Sequence, residues 1–381
     1  MSSRVPIVAL LIAIVGSGCA EPQPDGAPSL AATGVRFLAD GDHDSGGFAR
    51  AYQPRPFVFP EDHGSHPDFR TEWWYFTGNV FGGGRRHYGF ELTFFRVALA
   101  ATAPESTSAW ATNQFWMAHF ALTDTTNGRF LTAERLTRGA LGLAGASHTP
   151  FRLWVEDWQV DGRGEAAAES FSLRARSEDV EIELSLDSLK RAVAQGDRGL
   201  DAKGSEPGNA SYYYSLPRLA VSGTVRVGDS EADEVEGLAW MDREWATSAL
   251  SEGIVGWDWF ALHLSDGRDL MYYRLRGEDG SASTESGGTL VSADGRVLRL
   301  AGSDVELDVL DHWTSPVSNV RYPVRWRLRV PAEQIDLLIV PYIPNQEVNL
   351  SVRYWEGAVR VSGSAGGHSV GGNGYLELAG Y

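Results

Sequence analysis

Apolar and polar residues alternate with a period of two over long stretches of the chain. Every second residue from Val180 to Leu186 is aliphatic, with Glu or Ser between, and arginines separate the apolar residues from Trp326 to Val330. Successive side chains of a strand point to opposite faces of its sheet. The alternation therefore predicts half-buried antiparallel strands with one apolar face on a core. Similar stripes run from Tyr88 to Phe94 and from Phe115 to Ala121.

Glycine-containing turn sequences separate these stretches. Turns of this kind join antiparallel strands because glycine tolerates positive φ angles, and they occur at Gly82-Gly83-Gly84, Asp266-Gly267, Asp279-Gly280 and Asp294-Gly295. Helical patterns are few, and we predict short helices at residues 133–143 and 187–195. Many short strands with few helices are typical of sandwiches and closed barrels. The expected fold class is all-β, because closing a sheet also removes its unpaired edges.

The length of the chain predicts more than one domain. The part expected to fold comprises roughly 330 residues, whereas most domains contain about 100–150. The segment from Ala246 to Glu252 separates two strand-rich halves that share no residue-level repeat. We therefore predict an N-terminal domain over residues 50–248 and a C-terminal domain over residues 249–381.

The first residues have the pattern of a secretory signal peptide. Arg4 precedes an apolar run from Val5 to Val15 and the small residues before Cys19. This run is about half of the ~20 residues that a membrane-spanning helix needs, so we assign residues 1–18 to a removable signal peptide. Cys19 is the only cysteine and stands where bacterial lipoproteins carry their acylated residue. The alternative is cleavage beside an unmodified cysteine, and in either case disulfides cannot contribute to the fold.

The segment after Cys19 is rich in proline and polar residues. We assign residues 19–49 to a tether between the lipid anchor and the folded body. Because Ala20 rather than aspartate follows the cysteine, we expect an exported protein on the periplasmic side of the outer membrane, if the host is Gram-negative. The net charge is −17 without a lysine or arginine cluster, which excludes a nucleic-acid partner.

Two segments combine acidic residues with tryptophans in a way that strand alternation does not require. The first, at residues 66–79, contains Glu72-Trp73-Trp74-Tyr75, and the second, at residues 237–245, contains Trp240-Met241-Asp242-Arg243-Glu244-Trp245. Further aromatic segments follow at residues 256–260, 322–326, 354–357 and 374–378.

From about residue 57 to the C-terminus, these segments resemble the AttH-like and carotenoid hydratase family of predicted secreted hydrolases. The resemblance implies two lipocalin-like antiparallel β-barrel domains, an exported location, and hydratase or hydrolase activity. It implies no particular substrate. The carotenoid hydratases of the family use a histidine and an aspartate near the second motif and on the strand after it. This chain instead has Arg243 between two acids and Tyr272-Tyr273 on the following strand.

Hydration of an isoprenoid double bond needs a strong proton donor, a water molecule and a dry aromatic lining. A carboxylic acid buried among tryptophans can be such a donor, because desolvation raises its pKa. Aromatic faces stabilise the developing cation. Asp242, Glu244 and Glu72 are therefore the candidate catalytic residues. The candidate ligand-binding residues are Trp73, Trp74, Tyr75, His119, Trp240, Arg243, Trp245, Trp257, Trp259 and Tyr272.

Structural roles are open for the same residues. Asp242 and Glu244 share one strand face, with Arg243 on the other, and an acid paired with a distant arginine is a conformational lock rather than a catalyst. Trp73 and Trp74 face opposite sides, so one of them is expected in the core. His119 lies on an apolar strand face with Phe115 and Met117, which predicts an imidazole inside the first barrel. We expect Asp242 at an aromatic-lined pocket with Trp240 or Trp245 nearby, close to the interface between domains.

The leading functional hypothesis is an enzyme that hydrates or hydrolyses an apolar isoprenoid or lipid-derived substrate in an aromatic barrel pocket. The alternatives are a non-enzymatic lipid carrier and an accessory subunit of a lipid or lipoprotein transport system. We expect no cofactor. Asp62, His63, His66 and Asp68 do not have the spacing of a metal site, so we expect no metal.

Overall fold

The computed structural model describes residues 46–163, 169–247 and 250–381. The predicted signal peptide, Cys19 and the tether up to residue 45 lie outside the described residues. Within the described ranges the regular structure consists of antiparallel strands and four short 3-10 helices, at Glu61–His63, Gly83–Arg85, Gly302–Asp304 and Pro331–Glu333. No helix in these ranges is long and apolar enough to span a membrane.

The first half of the chain forms one curled sheet, which contains thirteen strands in the described residues. The strands are β1 Thr71–Gly82, β2 His87–Ala98, β3 Gln114–Asp124, β4 Arg129–Arg138, β5 Ala144–His148, β6 Phe151–Val155, β7 Trp158–Arg163, β8 Ser170–Arg176, β9 Val180–Ser188, β10 Val193–Ala194, β11 Leu200–Ala202, β12 Ala210–Val227 and β13 Asp233–Ala246. Their order is β4-β3-β2-β1-β13-β12-β9-β8-β7-β6-β5, with β10 and β11 on β12. The sheet curls until β4 contacts β6, which produces a barrel.

The second half forms another curled sheet, with ten strands among the described residues. The strands are β14 Ile254–Leu264, β15 Asp269–Gly277, β16 Gly287–Val291, β17 Val297–Ala301, β18 Glu306–Thr314, β19 Arg321–Val330, β20 Ile335–Pro341, β21 Glu347–Asn349, β22 Arg353–Ala365 and β23 His368–Ala379. Their order is β17-β16-β15-β14-β23-β22-β20-β19-β18, with β21 on β22. The predicted all-β fold of two antiparallel barrel-type sheets is confirmed.

The four predicted apolar stripes lie in strands β2, β3, β9 and β19, as expected. The two predicted helices were wrong. Residues 133–143 begin in β4, which pairs with β3 along its whole length, and residues 187–195 include the end of β9 and the short strand β10. Cross-strand pairing therefore overrides the weak local helical preference of both segments.

Each barrel interior is filled by its own side chains. Trp74, Phe94 and Trp116 belong to the core of the first sheet, and Phe260 and Trp326 belong to the core of the second. The outer faces of the two sheets also pack against each other through a third apolar cluster. For this reason β2 is buried on both faces, although its stripe alone predicts a half-buried strand.

The chain passes from one sheet to the other in a single connection. Strand β13 ends at Ala246, β14 begins at Ile254, and the boundary predicted at residue 248 lies between them. The last strand of the first sheet and the first strand of the second are therefore consecutive in the chain. Both contribute side chains to the space between the sheets.

Candidate functional site

A cavity of about 140 Å³ lies between the two sheets. We call it the inter-sheet pocket. A cavity of this volume accommodates a benzene-sized group. Because both barrel interiors are filled, this position corrects the expectation of a pocket inside a barrel. Its lining is Thr71, Trp73, Tyr75, Thr93, Phe95, Lys203, Tyr213, Asp242, Glu244, Ala246, Leu250, Trp257, Trp259, Tyr273, Leu275, Val352, Tyr354, Glu377 and Ala379.

Strand alternation places Asp242 in the wall of this pocket. β13 lies between β1 and β12, so its side chains point alternately into the barrel and toward the second sheet. The Asp242 carboxylate accepts hydrogen bonds from the Tyr213 hydroxyl at 2.5 Å, from Trp240 Nε1 at 2.7 Å, and from the Ser215 hydroxyl. Burial raises the pKa of Asp242 to about 7, and these hydrogen bonds oppose the rise only in part. The carboxyl group can therefore hold a proton near neutral pH.

Glu244 lines the same wall but is paired with a cation. Lys203 Nζ lies 2.8 Å from Glu244 Oε1 and 2.7 Å from Asp201 Oδ2. Burial raises the pKa of Glu244, and the lysine opposes that rise. For Lys203 itself, burial disfavours the charge, but the two carboxylates outweigh burial and raise its pKa. The wall therefore contains one acid without a cation among its observed partners and one carboxylate held by a lysine.

A third acid, Glu377, reaches the pocket from β23. Burial raises the pKa of Glu377 to about 8, opposed in part by a hydrogen bond with Trp257. Sequence reasoning singled out neither Glu377 nor Lys203. The available signal for Glu377 was its place in the terminal aromatic segment at residues 374–378, where an acid alternates with apolar residues.

Glu72, the third predicted catalytic acid, points away from the pocket into the first barrel. It forms ion pairs with Arg96 and Arg243, and all three side chains are fully buried. Burial would raise the pKa of Glu72, but the two arginines hold it well below its usual range. Arg243 also lies over the Trp74 ring, with 3.8 Å between its guanidinium carbon and the ring centroid. This cluster has the character of a conformational lock.

The structure divides the predicted ligand-binding residues between the pocket and the two cores. Trp73, Tyr75, Trp257 and Trp259 line the pocket, and Trp240 holds Asp242 from beside it. The residues placed in barrel cores are Trp74, Trp245 and Tyr272, and Arg243 lies with the first two. Tyr273, the neighbour of Tyr272, lines the pocket instead.

His119 faces the second sheet rather than the interior of the first barrel, which corrects the prediction. Its Nδ1 lies 2.6 Å from the Tyr354 hydroxyl, and its Nε2 lies 3.0 Å from Glu134 Oε1. On β3 the alternate residues, such as Phe120, fill the barrel core. The apolar stripe that includes His119 is therefore the face that contacts the second sheet.

The polar residues of the N-terminal loop bind one another and the barrel. Asp62 accepts hydrogen bonds from Arg55 and lies 3.0 Å from His66 Nε2. His63 Nδ1 lies 2.7 Å from the Tyr214 hydroxyl. These contacts fix the loop on the first sheet.

The sequence profile of the AttH-like family matches residues 50–381. The chain belongs to the AttH-like family. The crystal structure of an AttH from Nitrosomonas europaea is 31% identical, has a TM-score of 0.77, and matches over 88% of this chain and 100% of that one. The predicted resemblance is therefore confirmed.

A named enzyme also shares the AttH-like fold. The structure of kievitone hydratase from Nectria haematococca is 16% identical, has a TM-score of 0.65, and matches over 87% of this chain and 96% of that one. Kievitone hydratase from Fusarium solani subsp. phaseoli is 20% identical over 219 residues, which are 54% of this chain and 58% of that protein. The aligned part thus spans less than two thirds of that relative.

Proposed function

We propose that this AttH-like protein is a hydratase that adds water to a carbon–carbon double bond of an apolar, isoprenoid or lipid-derived substrate in the inter-sheet pocket. The observation that carries the proposal is the setting of Asp242. Its carboxyl group lies in an aromatic wall, has a pKa of about 7, and is bonded there to hydroxyl and indole donors. Such a group is a proton donor suited to neutral pH.

Each residue type of the wall contributes to this chemistry. The Asp242 O–H bond breaks as the π electrons of the alkene form a new C–H bond, which leaves a carbocation on the other carbon. The faces of Trp73 and Trp259 would stabilise that cation by about 0.5–2 kcal/mol each. The Glu244 carboxylate, held by Lys203, adds a negative potential on the same wall. A water molecule then forms the C–O bond and loses one proton, so that substrate and water together give the alcohol.

The lining favours hydration over hydrolysis. Hydrolysis through an acyl-serine or acyl-cysteine intermediate has no nucleophile here, because the described lining contains neither serine nor cysteine. The name of the kievitone hydratases supports the same choice, because proteins of this fold include enzymes named for hydration.

Incubation with a panel of isoprenoid and fatty alkenes in H₂¹⁸O tests the proposal. Mass spectrometry should detect one ¹⁸O atom per alcohol formed by the wild-type protein. The Asp242→Asn variant should fold and bind the alkene but lose activity by at least about 100-fold, whereas the matched control Asp279→Asn, an exposed acid, should be fully active. A wild-type protein that binds an alkene tightly and forms no alcohol would instead support the lipid carrier.

We also propose that the protein is exported and anchored by a lipid on Cys19, which would place the pocket near a membrane that supplies apolar substrates or a transport partner. The support is the N-terminal sequence pattern alone. Metabolic labelling with a fatty acid analogue should mark the wild-type protein, and the Cys19→Ser variant should be unlabelled and released from the membrane fraction. Labelling of that variant would contradict the anchor.

A further inference from the structure

Three hydrogen-bonded side chains lead from the inter-sheet pocket across the interface of the sheets. Tyr354 on β22 lines the pocket. Its hydroxyl lies 2.6 Å from Nδ1 of His119 on β3, and His119 Nε2 lies 3.0 Å from Oε1 of Glu134 on β4. His119 is fully buried, and the Glu134 side chain is 16% exposed. One sheet therefore provides the tyrosine and the other provides the histidine and the carboxylate.

The charge state of Glu134 fixes the direction of these hydrogen bonds. Burial would raise the pKa of Glu134, but hydrogen bonds with His119 and Ser351 outweigh it and lower the pKa. An ionised carboxylate can only accept hydrogen bonds, so His119 Nε2 carries a hydrogen and donates it to Glu134. In the neutral ring, Nδ1 is then the acceptor and takes the hydrogen bond from the Tyr354 hydroxyl. Burial raises the pKa of Tyr354 well above its usual value, which keeps that hydroxyl protonated.

We propose that Tyr354, His119 and Glu134 form the base of the hydration reaction, with Tyr354 as a catalytic residue and the other two as positioning residues. This inference rests on the proposed function. A buried hydroxyl linked to a histidine that a carboxylate orients is the arrangement that activates nucleophiles in other enzymes. Here it accepts the proton of the attacking water.

The proton balance of the step is complete. As the water oxygen bonds to the carbocation, its proton moves to the Tyr354 oxygen and the Tyr354 proton moves to His119 Nδ1. The imidazolium is stabilised by Glu134, while Asp242 is a carboxylate. After the alcohol leaves, His119 gives up this proton through Tyr354 to water entering the pocket, and Asp242 recovers one from water. The protein has then returned to its starting state.

The acid and the base belong to different walls of the pocket. Asp242 comes from β13 of the first sheet and Tyr354 from β22 of the second. A substrate held between them would receive its proton on one face and its hydroxyl on the other, which is anti addition. Glu244, two residues from Asp242 on β13, is the competing base, and its use would deliver both groups from the same wall.

Tyr354→Phe separates the two half-reactions. In D₂O, deuterium exchange into the bound alkene needs only Asp242, whereas ¹⁸O incorporation needs the base. We expect Tyr354→Phe to retain deuterium exchange and alkene affinity while hydration falls by about 100-fold. The matched control is Tyr375→Phe, because Tyr375 is a buried tyrosine of the same interface whose hydroxyl has no hydrogen-bond partner among the described residues. This control should retain full hydration.

A measurement that does not use activity tests the positioning residues. Imidazole ¹⁵N NMR of the wild-type protein should show His119 with hydrogen on Nε2 only, and Glu134→Ala should yield a mixture of tautomers. Full hydration by Tyr354→Phe, loss of hydration in Glu244→Gln with syn addition in the wild type, or a wild-type hydrogen on Nδ1 would overturn the inference. A wild-type protein with neither deuterium exchange nor alcohol formation would instead contradict the proposed hydratase function.

Discussion

Asp242 and Arg243 are neighbours in the chain but belong to separate electrostatic systems. Asp242 faces the inter-sheet pocket, where its hydrogen-bond partners include the Tyr213 hydroxyl. Arg243 points into the first barrel and pairs with Glu72. From the sequence alone, an ion pair of Asp242 with an arginine was one possible conformational lock. In the structure, Glu72 forms the ion pair with Arg243 instead. The two systems should respond to pH in opposite ways.

Asp242→Asn should remove a pH-dependent loss of stability. The pKa of Asp242 rises from 3.8 to about 7 on folding, so the carboxyl favours the folded state below about pH 4, and this advantage is lost as the pH rises to 7. The asparagine variant should match the wild type in acid and exceed it above pH 7, by at most about 4 kcal/mol. Urea unfolding at several pH values measures this difference. A parallel pH dependence in both proteins would contradict it.

Glu72→Gln should destabilise the protein by about 3–5 kcal/mol at neutral pH, because it leaves two buried arginines without their carboxylate. The lowered pKa of Glu72 means that its contribution is present above pH 4.5 and is lost only as the pH falls through the folded-state value. The melting temperature of the variant should therefore approach that of the wild type only in strong acid. A variant with unchanged melting temperature at pH 7 would refute the lock.

Glu91→Gln should raise the free energy of unfolding, whereas Glu72→Gln should lower it. Glu91 is fully buried on β2 and forms no ion pair with the described residues, and the neighbouring Thr93 hydroxyl lowers its pKa only in part. Burial raises its pKa well above 4.5, and Glu377 adds to the rise. Glu91 therefore favours the folded state below pH 4.5, and the advantage is lost as the pH rises. At pH 8 the glutamine variant should be more stable by about 1–3 kcal/mol, and equal or lower stability in calorimetry would count against this assignment.

Ala246→Leu should fill part of the inter-sheet pocket. Ala246 lines the cavity, so the added methyl groups should stabilise the fold by about 0.5–2 kcal/mol and weaken alkene binding. The control Ala239→Leu places the same atoms in the filled barrel core and should destabilise by about 1–3 kcal/mol. Binding is measured by quenching of tryptophan fluorescence. Equal alkene affinity in Ala246→Leu and wild type would show that the ligand binds elsewhere.

The strands and half of the site follow from the period-two alternation. It places Asp242 and Glu244 on one face, and it separates Trp73 from Trp74. It cannot tell which face meets a core and which meets another sheet, because both surroundings select apolar residues. His119 was assigned to the wrong side for this reason.

Long-range strand pairing determines the rest of the site. The partners of Glu72 lie on β2 and β13, and Glu377 reaches Asp242's pocket only when the final strand packs beside β14. Lys203 comes from the segment just after β11, where no alternation marks it. Local sequence patterns do not predict which distant strands pair. For this reason, Lys203 and Glu377 were not predicted as pocket residues.

The pocket is built half from one sheet and half from the other, while both barrel interiors are closed by their own side chains. Neither half of the chain thus forms the inter-sheet pocket alone, and recombination cannot transfer this pocket with one half. A gene rearrangement that separated the halves would leave each half with one wall of the pocket. A new ligand preference of the pocket would therefore require matched changes in both sheets, and the pairing of the two sheets is itself an inherited part of the pocket.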